Sequence, residues 1–142
     1  MKRTLFVLIA GLAATATALA IAGVTAASSS GTTLHLKGTR LTSVQPGAKP
    51  GAVYVQTEAV SGDKSGRDAV TCVLATKAGQ GVCTFVLSLS GGQITSTGLV
   101  DLGKPTFEVA VTGGTRDYAG SGGVITVTNT SATRTDYLVK LT

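Results

Sequence analysis

From Thr33 onward the chain is a succession of short runs rich in Val, Ile, Leu, Thr and Tyr, in which apolar and polar residues alternate. No stretch repeats its apolar positions at helical spacing. The runs fall at Thr33 to Lys37, Val53 to Val60, Ala69 to Thr76, Val82 to Ser88, Gln93 to Val100, Thr106 to Thr112, Val124 to Asn129 and Thr135 to Leu141. Gly, Pro, Asp and Ser separate them, and the longest separator, Gly38 to Gly51, holds Pro46 and Pro50 and reads as a loop. The pattern predicts an all-β domain of eight antiparallel strands. Closed into an up-and-down barrel, these strands leave no exposed edge and an interior wide enough for one small ligand. A β-sandwich satisfies the same periodicity.

Cys72 and Cys83 refine the picture, because they flank a turn around Lys77 to Gly81. Pairing Ala75 with Gln80 sets Leu74 against Gly81, Val73 against Val82 and Cys72 against Cys83. This predicts a cross-strand disulfide in an oxidising compartment. Residues opposite one another share a face, so Val70, Cys72 and Leu74 point inward with Cys83, Phe85, Leu87 and Leu89. A next turn at Ser90 to Gln93 then pairs Leu89 with Ile94, Leu87 with Ser96 and Phe85 with Gly98. Small residues facing large ones leave space over Phe85, for packing from the far wall or for a ligand. Phe85, Leu87, Ser96, Gly98, Phe107 and Gln56 are the resulting pocket candidates.

Between two β-rich runs lies Gly113-Gly114-Thr115-Arg116-Asp117-Tyr118-Ala119-Gly120-Ser121-Gly122-Gly123. A phosphate-binding loop would need a following helix and a Lys-Ser/Thr pair, whereas Val124 to Thr128 is strand-like. The glycines instead suggest a bent corner around Tyr118, with Gly113, Gly114, Gly120 and Gly123 as its hinges. The corner resembles that of the allene oxide cyclase-like and dirigent-like barrels, which carry a further Gly where Arg116 stands. Gly66-Arg67-Asp68 and Gly91-Gly92-Gln93-Ile94-Thr95 extend the likeness over about Val53 to Val127. The resemblance implies an eight-stranded barrel with a central cavity, often a homodimer or homotrimer. The known activities of such barrels are cyclisation of an unsaturated substrate and steering of coupling without chemistry. Fold does not carry function across such a family.

The first residues change the setting. Lys2 and Arg3 precede an uncharged run from Leu5 to Val24, followed by Thr25, Ala26 and Ala27, the layout of a secretory signal peptide over residues 1–27. Residues 28–142 then form the single exported domain, with no membrane association after cleavage. The net charge of +5 comes from scattered Lys and Arg without aromatic interleaving, so nucleic acid is not an expected partner. With one His and no CxxC, no metal site and no cofactor is expected.

Candidate chemistry is sparse. On Val53 to Val60, hydrophobicity makes Val53, Val55, Thr57 and Ala59 the natural inner face. If Tyr54, Gln56 and Glu58 point inward instead, Glu58 becomes a desolvated acid and Tyr54 a donor to a substrate oxygen. These two are the weak catalytic candidates. Alternation turns His35 and Glu108 outward, and Arg67, Asp68, Arg116 and Asp117 fall in turns as rim charges. Asn129-Thr130-Ser131 matches a glycosylation sequon. Two functions fit: a secreted barrel that binds an apolar unsaturated molecule, as an isomerase or cyclase or as a dirigent-like guide, and a structural or surface-interaction module filled by its own side chains. The low aromatic content favours the second.

Overall fold

A computed structural model describes residues 31–45, 47 and 49–142; the signal segment read at residues 1–27 lies outside them. Eight strands, each hydrogen-bonded to the next, form a closed antiparallel barrel: β1 (Thr32–Val44), β2 (Val53–Gly62), β3 (Gly66–Leu74), β4 (Gln80–Leu89), β5 (Gly92–Asp101), β6 (Thr106–Gly114), β7 (Gly123–Ser131) and β8 (Arg134–Leu141). The last strand pairs with the first from Thr32↔Leu141 to Thr39↔Arg134, which seals the cylinder. Burial alternates along each wall, as a sheet with one face inside requires.

The largest departure from the sequence reading is β1. The segment read as a loop from Gly38 continues as strand to Val44, pairing Arg40 with Glu58 and Val44 with Val55 across an irregularity at Arg40/Thr42. An extra residue there absorbs a change of phase that simple alternation cannot register. The disulfide hairpin has the expected register, with Cys72 opposite Cys83 and the bond formed. The next hairpin is tighter than expected: Leu89 pairs with Gly92, Leu87 with Ile94 and Phe85 with Ser96. Gly91, at φ 109°, permits this two-residue turn. Because the slip is two residues, every side chain keeps its face.

One end of the barrel is closed by the glycine corner. Thr115 leads into a 3-10 turn, Arg116–Tyr118, and Tyr118 is buried with its hydroxyl 3.5 Å from the Ser90 carbonyl. Thr115 and Asp117 donate backbone N–H groups to Gln93 and Gly91, tying the corner to the β4–β5 turn. Arg116 sits at φ 55°, a left-handed conformation that glycine adopts without cost. Below it Leu36, Leu87, Ile94, Ile125 and Val139 fill the interior with apolar side chains.

Candidate functional site

The other half of the barrel is hollow. A cavity of about 600 Å³ runs inward from the mouth formed by the β1–β2 loop and the β3–β4 and β5–β6 turns. That volume lies within the range of roughly 300–1,000 Å³ typical of small-molecule sites. Phe85 and Phe107, with ring centroids 5.9 Å apart, lie on its wall with Val70, Cys72, Leu74 and Val127, while Arg40, Tyr54, Gln56, Asn129, Thr135 and Tyr137 supply polar groups.

Strand β2 presents Tyr54, Gln56 and Glu58 to the interior, and Val53, Val55 and Ala59 to the outside. The face chosen by hydrophobicity is therefore the wrong one. The ladder explains why: β2 pairs Tyr54 with Cys72 and Gln56 with Val70, and those partners were already fixed as inward. The three polar side chains form a chain directed from the mouth inward, Tyr54 donating to Gln56 Oε1 and Gln56 Nε2 donating to Glu58 Oε1. Glu58 is fully buried.

Glu58 also accepts from β8, two strands away: Thr135 Oγ1 donates to Oε1 at 2.9 Å and the Tyr137 hydroxyl lies 2.8 Å from Oε2. Gly38 on the intervening β1 makes this reach possible. A Cβ added there would collide with Glu58 Oε2 and lie 3.0 Å from the Tyr137 ring. The same Tyr137 hydroxyl lies 2.7 Å from Asp68 Oδ2 on β3, directly across the ladder from Glu58. Asp68 is 1% exposed, and its Oδ1 has no partner.

One hydroxyl between two carboxyl groups fixes the proton count. Tyr137 has a single hydrogen and donates it to one carboxylate at a time, so the second contact is a good hydrogen bond only when the other carboxyl carries its own proton. Burial pushes the Asp68 carboxyl up to about 7, with the nearby Glu58 charge adding to the rise and the Tyr137 hydrogen bond opposing it. Tyr137 itself is raised by burial and by the two acids, and stays a neutral donor. Asp68 OH to Tyr137 to Glu58 is thus a proton chain poised at neutral pH. Tyr137, Gln56 and Tyr54 reach the cavity wall; Glu58 and Asp68 are not among the wall residues and stand behind it.

Of the sequence-derived candidates, Tyr54, Gln56, Phe85 and Phe107 line the cavity. Leu87 and Ser96 are buried away from it, and Gly98 packs its backbone against Val109. Asp68 is not a rim charge but an interior acid. Its parity with Val70, Cys72 and Leu74 on one strand carried that information, as Tyr137's parity with Val139 and Leu141 did. Asn129 of the sequon is half-buried on the cavity wall, its Oδ1 3.3 Å from the Thr135 hydroxyl. His35 and Glu108 are exposed, as alternation predicts. Among the described residues no cluster of His, Cys, Asp and Glu is arranged to hold a metal ion.

Fold and site together define a closed eight-stranded barrel with a ligand-sized cavity and a carboxyl–tyrosine–carboxyl group at its floor. No family model and no curated protein matches the chain. Among solved structures the chain is similar to pyocyanin demethylase, with a TM-score of 0.71 and 26% sequence identity over 78% of this chain and 100% of that one.

Proposed function

We propose that this protein is an exported barrel that binds a small unsaturated molecule in its mouth and moves a proton on it, an isomerase in reaction class. The observation that carries the reading is the single Tyr137 hydroxyl held within 2.8 Å of two buried acids at the floor of an open cavity. Tyr137 is the catalytic residue, because it alone of the three reaches the wall. It gives its hydrogen to one atom of the substrate and regains one from Asp68. A proton leaving a second atom returns by the same hydroxyl to the acid pair. The substrate is isomerised and the trio ends with the proton it began with, so no co-reactant is consumed. Glu58, held by Gln56 and Thr135, orients the hydroxyl and acts as a positioning residue. The aromatic wall keeps water from a reactive intermediate and holds the substrate in one conformer.

The N-terminal pattern and the formed disulfide support export. The corner around Tyr118 supports kinship with the allene oxide cyclase-like barrels, and the structural likeness makes pyocyanin the first compound to offer. The test is exchange: protein in deuterium oxide is given pyocyanin and a panel of β,γ-unsaturated cyclic ketones, and deuterium gain and isomer formation are followed by mass spectrometry and chromatography. Wild type exchanges at least one compound, and Tyr137→Phe lowers that rate by about 10²–10⁴. Binding without exchange would demote the barrel to a guide that only holds its ligand. Exchange that survives Tyr137→Phe unchanged would remove the relay.

A further inference from the structure

The cavity contains one cationic side chain that the proton chain does not use. Arg40 follows Leu34, Leu36 and Gly38 on the inward face of β1, lies opposite Glu58 and lines the cavity. Arg40 is half-buried, its Nε alone is buried without a hydrogen-bond partner, and among the described residues its guanidinium forms no ion pair. An arginine cannot shed its charge, and a buried donor left unpaired costs far more than one facing water. Glu58 does not answer it: Oε1 is taken by Gln56 and Thr135, and Oε2 by Tyr137.

We infer that the partner of Arg40 arrives with the ligand, and that the substrate of this barrel carries an anionic oxygen group, a carboxylate or an equivalent enolate or phenolate, docked on the Arg40 guanidinium. The inference rests on the ligand-binding reading above and narrows it from any apolar unsaturated molecule to an anionic one. Geometry sets the orientation. Arg40 is on β1, and Phe85 and Phe107 are on β4 and β6 across the barrel, so the charged end faces β1 while the unsaturated body lies against the phenyl rings. Tyr137 on β8, the neighbour of β1, then meets an atom close to the anionic group. Lys77, exposed at the mouth, adds a second positive charge along the entry path.

The test uses 1-naphthoate and its neutral isostere 1-naphthamide, with affinities read by calorimetry on wild type, Arg40→Gln and Arg40→Lys. Wild type binds naphthoate about 10- to 100-fold more tightly than the amide, the range expected for a charge-assisted hydrogen-bonded pair. Arg40→Gln abolishes the difference by weakening naphthoate alone, and Arg40→Lys restores part of it. Equal binding of the two probes by wild type would overturn the inference, a comparison that needs no variant to fold. Loss of both probes to the same extent in a folded Arg40→Gln would also overturn it, by making Arg40 a counter-charge for Glu58. If wild type binds neither, the ligand-binding reading itself fails and this inference fails with it.

Discussion

The two ends of this barrel are built from the same alternating strands and have opposite fates. At one end Tyr118 folds in beneath the glycine corner, and Leu36, Leu87, Ile94, Ile125 and Val139 fill the interior. At the other, Tyr54, Gln56, Glu58, Asp68, Thr135 and Tyr137 face inward around a cavity of about 600 Å³. Burying polar groups without partners is costly, and burying two carboxyls is more so. The hollow end tolerates them because nearly every polar atom is answered: Tyr54 by Gln56, Gln56 by Glu58, and Glu58 by Thr135 and Tyr137. Of the three buried side-chain polar atoms without a partner among the described residues, Asp68 Oδ1 and Arg40 Nε belong to this end, and Ser96 Oγ lies away from the cavity. The filled end supplies apolar packing, and the unpaired charged and titratable atoms lie at the other.

Substitutions that separate the ends test this division. The largest effect is expected from Tyr137→Phe, which removes the hydroxyl but keeps the ring: proton exchange on substrate falls by about 10²–10⁴ while the folded barrel persists, checked by kinetics beside circular dichroism.

Asp68 gives the next largest effect. Its folded pKa, about 7, lies above the value near 3.8 of a free aspartate, so the folded protein holds this proton more strongly than the unfolded chain. The contribution to stability is complete below about pH 3.8, declines as pH rises, and is lost above about pH 7. It amounts to about 4 kcal/mol across that window. Denaturant melts of wild type should show this decline, and Asp68→Asn, which never ionises, should lack it. A matching closed-end substitution, Tyr118→Leu, should lower stability at every pH and leave the slope unchanged.

Gly38→Ala should cost about 3 kcal/mol by thermal melting, because the new methyl displaces the Glu58 carboxyl. It should also move the Asp68 titration, which an equally destabilising change in the apolar half should not. Removing the disulfide by Cys72→Ala with Cys83→Ala should cost about 2–3 kcal/mol through loop-closure entropy, in denaturant melts with and without reductant. The smallest change is Arg116→Gly, which relieves a left-handed residue at the corner and should raise stability by up to about 1 kcal/mol without altering binding.

The apolar walls were the more legible in sequence, for a physical reason. Apolar alternation and turn glycines report burial directly, so the eight strands, the inward face of β3 and β4 and the disulfide register followed from the residues. The polar wall of the hollow end, on β2 and β8, inverts the rule. On β2 the hydrophobic face, Val53 and Val55, points to solvent, and only the ladder to Cys72 and Val70 could have shown it. Asp68 shares a strand and a parity with Cys72, so its burial was readable from neighbours although its chemistry argued for the surface. What alternation could not supply was the meeting of β8 with β2 across Gly38, because it depends on a side chain that is missing and on closure of the barrel.

The most direct test of the central claim is a carbon-13 NMR titration of the side-chain carboxyls, in wild type and in Asp68→Asn. A carboxyl that titrates near pH 7 in wild type, vanishes in Asp68→Asn and moves higher in Tyr137→Phe, where a hydrogen bond to the anion is lost, is the predicted result. Titration of every carboxyl below pH 5 would contradict it, and would leave the floor of the cavity without a stored proton to move.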